Sequence, residues 1–240
     1  MRWDHPVCPL VAGLNREQEE FVLHTLSDIA RSAHVPLGKE ACKANFFIIV
    51  AQNPSAFIKL MWRRWPALFD TRYGIAPVRR FIDLPRPVRI WYNQADIGAD
   101  SGIAFNGALA ESAGIGSGSG GLPAHVVPGL RSRLKMDVVR DIETAMIVVD
   151  PEKVKGFNLG RLVDYIALIG FAQINLDKDL GPAPSILKVF SASDTSPPIE
   201  MTAWDRALLR ALYSTSQRDT LQLSEMETAM FNEISGQHSH

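Results

Sequence analysis

Apolar residues recur at helical spacing across residues 16–33, where Phe21, Leu23, Leu26, Ile29 and Ala30 alternate with polar and charged positions. Asn15 is placed to cap this helix. Gln18 stands three residues on, where a capping box has its Glu or Gln. Residues 45–51 (NFFIIVA) form an unbroken apolar, β-rich run and predict a buried strand. Pro54 follows Asn53 at a first-helical-turn position and opens a short helix over 55–64, which Pro66 ends. A second strand is predicted over 88–93 (VRIWYN), fenced by Pro85 and Pro87, with Trp91 and Tyr92 on opposite faces. Residues 144–149 (TAMIVV) predict a third, stopped by Asp150-Pro151. Residues 133–140 fit a strand or a short amphipathic piece. The rest of the pattern is helical: 158–174 capped by Asn158, a short helix over 184–190, 202–213 capped by Thr202 with Asp205 in its first turn, and 221–234.

This order predicts an α+β fold, with a small mixed sheet of three to four strands and a largely helical C-terminal half. The 240 residues read as a single domain, 1–240. Residues 98–121 run through small residues into GIGSGSGG and read as a flexible Gly/Ser-rich loop; residues 235–240 read as a disordered tail. Net charge is −1, so nothing pulls the chain as a whole toward nucleic acid or anionic membranes. The short basic clusters, such as Arg63-Arg64 between Trp62 and Trp65, read as solvated faces. No apolar run reaches the roughly 18 residues that a transmembrane helix needs. The opening MRWDHPVCP lacks the apolar stretch of a signal peptide.

Candidate chemistry centres on residues 163–173 (VDYIALIGFAQ), which have the frame of a zinc-peptidase helix, H-E-x-x-H-x-x-G-x-x-H, without its histidines. Val163 and Ala167 stand where two imidazoles one turn apart would converge on a metal. Asp164 stands at the general-base position, Gly170 is in register, and Gln173 takes the third ligand's place. The plainer reading is a core helix whose Gly170 permits close packing. A cation held by Asp164, Asp177, Asp179 and Glu200 would be possible in principle, but their spacing fits no loop motif. Residues 116–121 fit G-x-G-x-x-G literally, yet prolines follow where a phosphate-binding helix should begin. Ser117 or Ser119 with His125 would make a Ser–His pair that nothing orients. Cys8 and Cys42 read either as two free buried thiols or as one disulfide tying the N-terminal arm to the first strand.

The C-terminal third joins a strand (AMIVVD), the helix in the peptidase frame, a proline-bearing segment (GPAPSILKVF) and the capped helix MTAWDRALLRALYST. That order resembles an uncharacterised family of exported bacterial proteins with a zincin-like, that is metallopeptidase-like, fold. The later helix, Met201-Thr202-Ala203-Trp204-Asp205 through Leu212-Tyr213, is similar to that family's L-T-x-x-D-x-x-L-L-x-x-L-Y pattern. Trp3-Asp4, Pro6-Val7-Cys8-Pro9 and Cys42 to Asn45 are similar to the W-D-x-P-V-C-P start and later C-x-x-N of exported proteins of this kind. The resemblance implies a periplasmic or secreted protein whose leader is missing from this sequence, or a cytoplasmic one if Met1 is the true start. It also implies a Cys8–Cys42 disulfide. Peptidase activity does not carry over, because Val163, Asp164, Ala167 and Gln173 replace every catalytic or metal-binding residue.

The expected function is therefore non-catalytic, with no cofactor: a zincin-like scaffold that binds a protein, peptide or envelope component, with residues 88–93 as a pairing edge and Asn93 and Tyr165 in the cleft. The alternative is a hydrolase with a non-zinc site, using Asp164, Tyr165 or Asn93, or the Ser117/Ser119 loop with His125.

Overall fold

Four strands make one mixed sheet in the computed structural model, which describes residues 1–72, 74–98, 138–191, 196–215 and 222–237. They are β1 (Pro9–Ala12), β2 (Phe46–Val50), β3 (Val88–Gly98) and β4 (Val138–Val149), ordered β1-β2-β4-β3. β1, β2 and β4 are parallel; β3 runs antiparallel to β4 and forms one outer edge. Six helices are described: α1 (Arg16–Ser32), α2 (Pro54–Arg64), α3 (Ala76–Asp83), α4 (Leu159–Phe171), α5 (Ala203–Ser214) and α6 (Gln222–Gln237). The architecture is α+β.

Alternation along β4 explains the layering. Ala145, Ile147 and Val149 join the larger core with Val22 and Leu26 of α1 and Val163 and Ile166 of α4. Met146 and Val148 face the other way, against Ile58 of α2 and Val78 and Phe81 of α3. A strand covered on both faces has no polar side to show, which is why TAMIVV reads as one apolar run. Each of these large side chains contributes about 1.5–3 kcal/mol by leaving water.

The helix caps follow the sequence. Asn15 accepts from the Gln18 backbone N–H at 2.9 Å and closes a capping box, and Thr202 closes another with Asp205. Two elements escape the hydrophobic pattern. β1 has four residues and owes its strand character to pairing with β2, Pro9 opposite Phe46. α3 has eight residues (APVRRFID) and buries Val78, Phe81 and Ile82. β3 and β4 also extend past 93 and back before 144, with a register shift at Asn93/Gln94. α6 continues through Gln237, three residues into the segment expected as a tail. Apart from Gly98, which ends β3, the expected 98–121 loop lies outside the described residues.

The N-terminal arm closes the structure. Cys8 and Cys42 form a disulfide with Cα atoms 6.0 Å apart. Asn45 accepts from the Cys8 N–H at 2.7 Å and donates to the Pro6 carbonyl at 3.0 Å. Trp3 is 1% exposed; it packs on Phe46 and donates from its indole to the Gly170 carbonyl at 2.8 Å. Arg2 donates to the carbonyls of Leu212 and Thr215 at the end of α5. No described helix is long and apolar enough to cross a membrane.

Candidate functional site

α4 supplies the positions singled out by the peptidase frame. Asn158 caps it, accepting from Gly160 and Arg161, and nine of its thirteen residues are buried. Val163 and Ala167 are both 0% exposed, in one core with Ile186, Met201 and Leu209. Apolar side chains fill the two positions where imidazoles would stand, and neither faces an open cleft. Gly170 lies against the sheet: a Cβ there would sit 2.3 Å from the Phe46 ring. Gln173 donates its backbone N–H to the Met1 carbonyl. The described residues contain no cluster of three His, Cys, Asp or Glu side chains able to hold a metal.

Asp164 and Tyr165 are adjacent in sequence and face different openings. Asp164 accepts from the Met201 N–H at 2.7 Å and borders a small opening of about 370 Å³ with Asn158, Arg161 and Glu200. Burial raises its carboxyl above the ordinary range, against the pull of the Met201 hydrogen bond. Tyr165 lines a groove of about 850 Å³ between the Pro85–Val88 approach to β3, the loop at 176–181 and the 3₁₀ segment Ile186–Phe190.

Asn93 is not in that groove, contrary to the expected pairing with Tyr165. It sits on the opposite face of β3, beyond Trp91, and its amide is spent on structure. Its oxygen accepts from Asp70 and from the Trp91 indole, and its nitrogen donates to Leu68 and Thr144. Ser117, Ser119 and His125 lie outside the described residues.

The groove is built on fixed backbone. Pro85 and Pro87 restrict one wall. The facing loop is held by two Asx turns, with Asp177 N–H donating to Asn175 and Gly181 N–H donating to Asp179, each at 3.0 Å. Arg86 joins the walls: its Nη2 donates to the Leu176 carbonyl at 2.8 Å and to Asp177 at 2.7 Å. Arg80 holds the other Asp177 oxygen at 2.6 Å, and Lys188 donates to the Gly181 carbonyl at 2.8 Å. Tyr165 is 4% exposed and packs edge-on against Phe190, ring centroids 4.9 Å apart. Burial pushes its hydroxyl up to about 12, with nearby Arg86 pulling the other way, so it stays a donor at neutral pH. This set can bind and orient. No imidazole stands among the described lining residues. Arg86 and Lys188 were missed in the sequence; their only signal was the Pro-Arg-Pro step and the Asn-x-Asp-x-Asp turn spacing opposite it.

A second polar cluster, also missed, joins the arm to β4. His5 Nδ1 meets buried Asp141 at 2.7 Å, and its Nε2 lies 3.3 Å from the Glu143 carbonyl. The other Asp141 oxygen accepts from the Asp4 N–H. The Asp141 hydrogen bond raises the His5 imidazole above its ordinary value, outweighing burial.

No protein-family model matches the chain, and neither a curated protein nor a solved structure does so.

Proposed function

We propose that this chain is an exported, non-catalytic scaffold of zincin-like type that binds an extended protein or peptide segment along β3, beside the Tyr165 groove. The observation that carries this reading is the edge of β3 at the mouth of the groove, which no described strand pairs. Pro87 carbonyl accepts from Asp150 N–H, so the ladder alternates to leave Val88, Ile90 and Tyr92 with backbone groups directed away from β4. No other described backbone group pairs with them. Ile90 and Tyr92 are half-buried, and Val88 lines the groove. An extended segment added there would gain main-chain hydrogen bonds and a side-chain pocket together.

Two further observations support it. β4 leads into α4, as a strand precedes the active helix in zincin-like families. Val163 and Ala167 are packed in the core, which favours the plainer core-helix reading of the peptidase frame and weighs against the zincin-like part of the proposal. The Cys8–Cys42 disulfide suits an oxidising compartment. The hydrolase reading has less support, because Asp164 and Tyr165 border separate openings and Asn93 is fully bonded.

Hydrogen exchange with a panel of short extended peptides tests the proposal. Protection at Ile90 and Tyr92 is the expected result, with no peptide cleavage by zinc-supplemented protein. Stoichiometric zinc with peptide hydrolysis, or protection confined to other strands, would sink it.

A further inference from the structure

The groove carries more hydrogen-bond donors than its own residues use. Tyr165 is more than nine-tenths buried, its hydroxyl bonds to no described residue, and it reaches the groove. Arg86 spends only Nη2 on the protein, leaving Nη1 and Nε without a described partner. The Lys188 side chain makes one described hydrogen bond, from Nζ to the Gly181 carbonyl. The acceptors facing them are committed: Asp177 to Arg86 and Arg80, and one oxygen of Asp179 to the Gly181 N–H.

We infer that this groove is a carboxylate-binding site, in which the Tyr165 hydroxyl, Arg86 and Lys188 hold a carboxylate borne by an extended peptide. The inference rests on the peptide-binding reading above and specifies what the peptide must carry. The charge balance favours an anion. Arg86, Lys178 and Lys188 line the groove against Asp177 and Asp179, and Arg80 adds a further cation on Asp177. The geometry of the wall also matters. The groove opens where β3 begins, so a segment paired with Val88 and Ile90 delivers its end, or a side chain near its end, to Tyr165. Charged acceptors strengthen such hydrogen bonds, and the remaining Nη1 and Nε hydrogens of Arg86 can each donate singly.

Three probes measured by calorimetry separate the sources: an N-acetylated alanine–valine tetrapeptide with a free C-terminus, the same peptide amidated, and the amidated peptide with one internal glutamate. One or both acidic probes should bind at least about tenfold more tightly than the neutral one. The tighter of the two identifies whether a chain terminus or a side chain is read. Tyr165→Phe should erase the preference while leaving the unfolding midpoint unchanged, because its hydroxyl holds no described residue. Equal binding of all three probes would overturn the carboxylate site and leave the peptide edge standing. A preference that survives Tyr165→Phe, or displacement of the acidic probe by inorganic phosphate better than by acetate, would overturn this site as described. Failure of every probe to bind would overturn the inference and the peptide reading beneath it.

Discussion

Asp205 is fully buried and takes four hydrogen bonds: from the Ser185 hydroxyl at 2.6 Å, Ile186 N–H at 2.8 Å, Thr202 N–H at 3.0 Å and the Thr202 hydroxyl at 2.9 Å. One carboxylate thus starts α5 and fastens the 3₁₀ segment to it. Asp205→Ala strands several buried donors and should cost more than about 3 kcal/mol in urea unfolding; a loss below about 1 kcal/mol, the size of an ordinary cap, would refute the joint. Gly170 makes a similar argument through space. Gly170→Ala gains helix propensity yet drives a methyl into Phe46, for a net cost of about 1–3 kcal/mol. The thermal midpoint should fall, and Phe46→Leu in the same chain should restore part of it; a midpoint at or above wild type would contradict the packing. The role of Gly170 was legible, because a glycine inside an apolar helix points to close approach. The fate of Asn93 was not, since its partners Asp70, Leu68 and Thr144 lie 23, 25 and 51 residues away and no local pattern announces them.

The N-terminal arm is the element that ties these joints together, and the residues that carried the family resemblance mostly serve it. Trp3, Cys8, Asn45 and Tyr213 all hold the arm or what it touches; Tyr213 donates to Phe171 at 2.7 Å and accepts from the Trp3 N–H. Closing a loop of this length, the disulfide should contribute about 3–4 kcal/mol. Replacing both cysteines with alanine should lower the urea midpoint accordingly, and denatured, unreduced protein from its native host should show no free thiol; two thiols per chain would contradict the bond. The His5–Asp141 contact makes the arm pH-sensitive. Folded His5 holds its proton above the ordinary value of 6.5, so its contribution is complete below that pH and fades as pH climbs through the raised value. Glu143 acts in the same direction from a lower starting point, since burial raises its carboxyl above 4.5. Unfolding free energy should therefore decline from pH 6 to 9, and His5→Asn should flatten the decline above pH 6.5; an unchanged slope would clear His5 of the effect. The arm's chemistry was partly legible through its cysteines. β1 was not, because four residues gain strand form only from β2 beside them.

At the scale of the molecule, the class and the helical C-terminal half followed from apolar periodicity, while the three-layer packing depended on which face each side chain of β4 takes. The groove was the least legible feature. Its walls come from the 85–88 approach, α4, the 176–181 loop and the 3₁₀ segment, and only folding brings them together. The arm has one consequence for the order in which the protein is made. The Trp3 backbone N–H and its anchor Tyr213 are 210 residues apart, so a ribosome working at roughly 5–20 residues per second leaves that joint unmade for about 10–40 s. Cys8 and Cys42 are only 34 apart, so their bond can close while most of the chain is still to come. The nascent protein would then carry its first forty residues as a pre-formed clasp, waiting for the last helices to arrive and be gripped.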